Sequence, residues 1–173
     1  VLGDVEELAG NKVNWQMLYE KSLNHDYTER FIGDIKTPVK YATPTLRHML
    51  ADVEATMTEN FIKNEIPRDF QDRYRRRLSE GKDETLEGQI LSVADKIDLL
   101  YEGFGEIEKG NPEQVFLDIY SESLSTILQF RNRPSVRYFL EEVLPDMLDE
   151  KFASRDQLAK LTKETMAEHE PNK

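Results

Sequence analysis

The 173-residue sequence predicts an all-α fold, a compact bundle of several helices. Three observations predict it. Apolar residues recur at helical spacing in nearly every segment, proline-bearing caps mark helix starts, and no segment alternates as a strand does. Neither an internal repeat nor a low-complexity stretch interrupts this pattern.

The first element places Trp15, Leu18, Ser22 and His25 along one stripe of a helix over residues 14–24, which brings His25 to the inner face at the C-terminal end. Residues 33–44 read as an ordered loop punctuated by Gly33-Asp34, Thr37-Pro38 and Thr43-Pro44, because each proline biases its predecessor away from the helical region. Thr43-Pro44 then opens a helix as cap and first residue, with the stripe Leu46, Met49, Leu50, Val53, Met57 and Phe61. Pro67 starts the next helix, which ends near Gly81.

The longest helix is expected from about Asp83 to Lys109. Leu86, Ile90, Val93, Ala94, Ile97, Leu100, Tyr101, Phe104 and Ile107 form its apolar face, and Leu91 and Leu99 lie opposite. A helix apolar nearly all round is a central, buried one. Asn111-Pro112 repeats the cap-plus-proline start for a helix reaching about Arg131. Another runs from Pro134 to Leu144, where Pro145 interrupts it, and Ser154-x-x-Gln157 reads as a capping box for the last helix.

Composition narrows the function classes. A net charge of −11 repels nucleic-acid phosphate, which argues against duplex binding. The basic cluster Arg73 to Arg77 (RYRRR) reads as a solvated helix face, with a local anion-binding patch as the alternative. The absence of cysteine excludes disulfides, thiolate metal sites and cysteine nucleophiles. No apolar run approaches a membrane span and no signal peptide is visible, so a cytoplasmic protein without a membrane partner is the default expectation.

Few residues can carry chemistry. The adjacent His25-Asp26 is a mixed nitrogen and oxygen donor pair of the kind that suits Mn, Co, Fe, Ni, Cu or Zn, although a core histidine satisfied by hydrogen bonds is the commoner reading of such a dipeptide. Asp95 lies between Leu91 and Leu99 in a row of the central helix. A buried carboxylate there needs a partner, either a metal ion or a basic side chain. Glu29 follows His25 by four residues, where a carboxylate can serve as general acid or base, although a surface glutamate is the plainer reading. In the loop GDIKTPVKY, Lys36, Lys40 and Thr37 could hold a phosphate and Asp34 could accept from sugar hydroxyls, or the loop is simply a rigid connector.

Taken together, HDYTERFIGDIKTPVKY (His25 to Tyr41) resembles the stretch that defines the YfbR-like HD-domain 5′-deoxynucleotidases, whose pattern is close to HDxSExxTGDxxTPVKY. SVADKIDLLYEGFGEIEKGN (Ser92 to Asn111) looks like that family's second metal-ligand helix, and RYFLEEVLPDM (Arg137 to Met147) resembles its C-terminal part. The resemblance implies an HD-domain bundle around one divalent metal, typically in a homodimer. The implied activity is hydrolysis of deoxynucleoside 5′-monophosphates to nucleoside and phosphate. It implies His25, Asp26 and Asp95 as metal ligands, Glu29 as the catalytic residue, and Asp34 and Thr37 beside the nucleotide substrate. The implied organisation is an HD-type domain over residues 1–150, followed by a C-terminal helix and tail over 151–173.

The chain departs from the family pattern at three points. Thr28 replaces the family's serine, Ile32 replaces its threonine, and no histidine precedes His25, where the family carries a further ligand and an Arg-Trp pair for the phosphate. The sequence also opens without methionine, so the expectation is that part of the natural N-terminus lies outside it. Other readings are an HD hydrolase of dNTPs or alarmones, a catalytically impaired metal- or nucleotide-binding module, and a purely structural bundle.

Overall fold

The structure is a computed structural model. It describes residues 1–33, 35, 37–40, 42–79 and 81–169, and the side chains of Thr37, Pro38 and Ser79 are not among those described. The fold is all-α, and there is no strand among the described residues. The helices are α1 (Leu2–Leu8), α2 (Trp15–Asn24), α3 (Thr37–Lys40), α4 (Pro44–Glu65), α5 (Arg68–Ser79), α6 (Leu86–Glu108), α7 (Gln114–Leu128), α8 (Pro134–Tyr138), α9 (Leu144–Asp149) and α10 (Arg155–Glu168). A 3-10 turn, Tyr27–Phe31, follows α2, and a π turn, Phe139–Val143, joins α8 to α9.

Two compact units divide the chain: Asn14–Leu91, and Val1–Val13 with Ser92–Lys173. The larger hydrophobic core belongs to the second. Leu100 and Ile107 of α6, Tyr120, Leu124 and Ile127 of α7, Val136 of α8 and Leu158 of α10 are all fully buried there. These residues recur every third or fourth position on their helices, which is why the helical periodicity was readable before any contact was known. Tyr120 Oη and Thr162 Oγ1 share a 2.8 Å hydrogen bond between α7 and α10. Burial pushes the Tyr120 phenol up to about 12 despite that bond.

This unit also buries an acidic side chain. Glu6 of α1 is 0% exposed. Its Oε1 accepts from the Ser135 N–H (3.1 Å) and Oγ (2.6 Å), and its Oε2 accepts from Asn11 Nδ2 (2.6 Å). The carboxylate thus satisfies the orphan donor at the first turn of α8, beside Pro134, which has no N–H to offer.

Several sequence expectations need correction. The α4 stripe is rotated: Leu46, Leu50, Thr58 and Phe61 are half-buried and Ile62 is buried, whereas Met49, Val53 and Met57 are exposed. On α6, Ala94 and Tyr101 are exposed, because the residues two turns apart lie at the edge of the stripe. The expected loop over 33–44 contains a helical turn, α3, with Pro38 in its first turn, where a missing N–H costs nothing. Helix α7 starts from Glu113 rather than Asn111. Pro145 does not end its helix. The chain passes through the π turn, which accommodates the donor that proline lacks. Ser154 does cap α10 by position, but its side chain makes no capping hydrogen bond.

Candidate active site

Helix α2 positions the first candidate ligands, and it is anchored at both ends within the Asn14–Leu91 unit. At its start, Asn14 Oδ1 accepts from the Met17 N–H (3.1 Å) as an N-cap does. The Asn14 N–H itself donates to Glu87 Oε1 at 2.6 Å, and Glu87 is buried. Near its end, Lys21 Nζ donates to Asp83 Oδ2 at 2.7 Å. Burial would raise the Asp83 carboxyl, but the hydrogen bonds from Lys21 and Thr85 outweigh it and hold the group below the usual carboxylate range.

His25 is the C-cap residue of α2, still in helical geometry, and Asp26 starts the 3-10 turn. His25 Nδ1 lies 2.8 Å from the Ser22 carbonyl oxygen. A carbonyl only accepts, so Nδ1 carries the proton and donates, and the lone pair of the neutral ring is on Nε2. Nε2 lies 2.9 Å from Asp26 Oδ2. Two acceptors at that separation repel unless a proton or a cation lies between them. Two donors bound to one ion at about 2.1 Å each would stand about 3 Å apart, so the pair fits a shared divalent metal. The backbone carbonyl on Nδ1 is the usual outer partner of a metal-bound imidazole.

The 3-10 turn that carries Asp26 and Glu29 is held against α4. Thr28 is buried and its hydroxyl donates to Glu54 Oε1. Tyr27, Phe31 and Phe61 form an aromatic cluster with ring centroids 5.4–6.2 Å apart, and the Arg30 guanidinium stands 5.0 Å from the Tyr27 ring centre. The Glu29 N–H donates to the Asp26 carbonyl at 3.0 Å, and Glu29 Oε1 accepts from Lys40 Nζ of α3 at 2.7 Å. Lys40, expected as a phosphate ligand, is thus engaged with Glu29. The chain at Gly81 passes close behind the site, where an added Cβ would meet His25 Cβ at 3.4 Å.

His25, Asp26 and Glu29 therefore share one turn of the Asn14–Leu91 unit. Asp95 lies on α6, in the part that belongs to the other unit. Its side chain is 25% exposed with Lys96 Nζ at 3.4 Å, so the expected burial of this carboxylate is only partial. Leu91 is buried, but Leu99 on the other side is half-buried, so the row is less enclosed than its composition suggests. Thr37 begins α3, its side chain outside the described residues, and Asp34 and Lys36 also lie outside them. Sequence reasoning missed Glu54, Glu87 and Asp83. Only Asp83-Glu84-Thr85 carried a local signal, an acid whose Oδ1 takes the Thr85 N–H at 3.1 Å.

Comparison with known proteins gives the class, an HD-domain phosphohydrolase, with which the all-α fold and the His-Asp turn are consistent. The chain belongs to the YfbR-like 5′-deoxynucleotidase family, whose model matches residues 1–147. It is 28% identical over 136 residues to the 5′-deoxynucleotidase VP0926 of Vibrio parahaemolyticus, covering 79% of this chain and 68% of that protein. It is 26% identical over 124 residues to the 5′-deoxynucleotidase PM0747 of Pasteurella multocida, covering 72% of this chain and 62% of that one. Among solved structures, it is similar to an HD-domain phosphohydrolase (lin2634) from Listeria innocua, with a TM-score of 0.83 and 62% identity over 96% of this chain and 79% of that one. HD-domain phosphohydrolases generally use divalent metals, and His25 and Asp26 are donors of that kind.

Proposed function

We propose that this protein hydrolyses (deoxy)nucleoside 5′-monophosphates to nucleoside and phosphate, with His25, Asp26 and Asp95 holding one divalent metal ion. Family membership supports the reaction class. The observation that carries the site is the His25 ring: Nδ1 is engaged by the Ser22 carbonyl and Nε2 is presented beside Asp26 Oδ2. The mixed imidazole and carboxylate set suits Co, Mn, Zn, Ni, Cu or Fe. Such an ion, when bound, supplies Lewis acidity and positive charge for a phosphoryl group.

The chain's own residues have separate tasks in this reading. Glu29, fixed through its Oε1 by Lys40, moves the proton of the attacking water or of the leaving 5′ oxygen. Lys40 keeps a positive charge one side chain away from the reacting phosphate. Asp34 and Thr37 orient the nucleoside. Residues 1–150 form the phosphohydrolase domain and 151–173 the C-terminal helix and tail. We assign a homodimer, as the resemblance implies, and a cytoplasmic location, the default expectation from the sequence. No helix of the described residues is long and apolar enough to cross a membrane.

The test is phosphate release from a panel of deoxy- and ribonucleoside monophosphates, with metals added singly after chelation. Metal-dependent release is expected, falling to background in His25→Ala and by about 10²- to 10⁴-fold in Glu29→Ala. Wild-type rates in both variants refute the assigned site. Release of triphosphate from a deoxynucleoside triphosphate, with none from the monophosphate, refutes the substrate.

A further inference from the structure

The RYRRR cluster takes no part in the site above, yet the fold gives it a definite place. Arg73, Arg76 and Arg77 of α5, with Met17, Glu20 and Lys21 of α2, line a cleft of about 300 Å³ inside the Asn14–Leu91 unit. That is the size of a small-molecule site, too confined for a duplex. Four cations face one carboxylate there, on a chain whose net charge is −11. The general field of the protein does not create this patch; it opposes it.

The cations are not equivalent. Arg77 Nη2 pairs with Glu20 at 3.2 Å, and Lys21 pairs with Asp83 at 2.7 Å. Arg75, on the other side of α5, is engaged by Glu59 and Asp72, so it is turned away from the cleft. Arg73 and Arg76 are exposed and make no ion pair among the described residues. Residues 73, 76 and 77 stand three and four apart on one helix, where like charges repel. An anion that accepts from several guanidinium forks at once relieves this repulsion, and phosphate oxygens match that geometry.

We propose that the cleft between α2 and α5 is a second ligand site, which binds the phosphate groups of a small molecule bearing a di- or triphosphate. The cations come from two helices around a cleft of about 300 Å³, so the ligand that engages both α5 and α2 is a chain of two or three phosphates rather than one. The site is separate from the metal-binding turn but shares a helix with it. The His25 N–H donates to the Lys21 carbonyl at 3.0 Å, so an anion drawn to Lys21 acts on the turn that holds the histidine.

The experiment is titration calorimetry of the chelated, metal-free protein with inorganic pyrophosphate and tripolyphosphate at physiological ionic strength. Binding of tripolyphosphate with Kd below about 1 mM is expected, tighter than pyrophosphate. Arg73→Ala with Arg76→Ala, both exposed positions, should weaken it by about tenfold with an unchanged melting curve in the absence of ligand. Glu20→Gln should tighten it severalfold by releasing Arg77, and His25→Ala should leave it unchanged. Equal affinity in wild type and the double arginine variant overturns the proposal. So does loss of binding in His25→Ala, which would place the anion at the metal turn. These readouts use no turnover, so they stand or fall apart from the nucleotidase reading.

Discussion

At the scale of single residues, the molecule uses buried carboxylates as fasteners. Glu6 and Glu87 each accept from a backbone N–H at the start of a helix, α8 and α2 respectively. Leaving a buried donor without an acceptor costs about 1–3 kcal/mol. Glu6→Ala strands the Ser135 N–H and hydroxyl and the Asn11 amide together, so about 3 kcal/mol of stability should be lost. Chemical denaturation of the variant measures this, and a loss below about 0.5 kcal/mol would mean that water replaces the carboxylate. Thr28 belongs to the same scale. The hydroxyl that the resemblance marked as kept is the one that ties the HD turn to Glu54.

At the scale of elements, the segment before α6 depends on a residue without a side chain. A Cβ at Gly88 would stand 2.1 Å from Asp83 Oδ1 and 2.6 Å from the Asp83 backbone N and O. Alanine inside a helix is ordinarily more stable than glycine by about 1 kcal/mol. Here the sign reverses, because the clash is with backbone that cannot step aside. Gly88→Ala should cost about 1–3 kcal/mol. It should also release Asp83 from Lys21, loosening the end of α2 that presents His25. Thermal melting and metal affinity measured on this variant should fall together; unchanged values for both would show that the segment is not the anchor of α2.

At the scale of the whole molecule, burial is uneven. The Val1–Val13 with Ser92–Lys173 unit holds the large apolar cluster, while in the Asn14–Leu91 unit the buried apolar side chains among the described residues are few, such as Leu18, Ile62 and Leu78. Local opening follows buried apolar contact, so amides of α7 and the later turns of α6 should exchange slowest with solvent, and those of α2, α4 and α5 faster. Hydrogen exchange resolved by residue tests this; uniform protection would contradict it. The His-Asp turn and the basic cleft both lie in the less covered unit, where a ligand can order its surroundings.

Much was legible in the sequence, and for a physical reason. Helix periodicity, proline starts and the His25–Tyr41 motif are short-range patterns, governed by residues a turn or two apart, and they determined the all-α class, most element positions and the family. The rest required tertiary structure because it joins residues distant in the chain. Glu6 meets Ser135 across 129 positions, Asn14 meets Glu87 across 73, and Thr28 meets Glu54 across 26. No local pattern announces such partners. Packing alone decided that α4 turns Met49, Val53 and Met57 outward, that Asp95 is only partly covered, and that Lys40 pairs with Glu29. The residue types that suit a metal were written in the sequence, and even the His25 Nδ1 contact is local, with the Ser22 carbonyl three residues earlier on the same helix; what packing added is the set of distant partners that hold the turn in place.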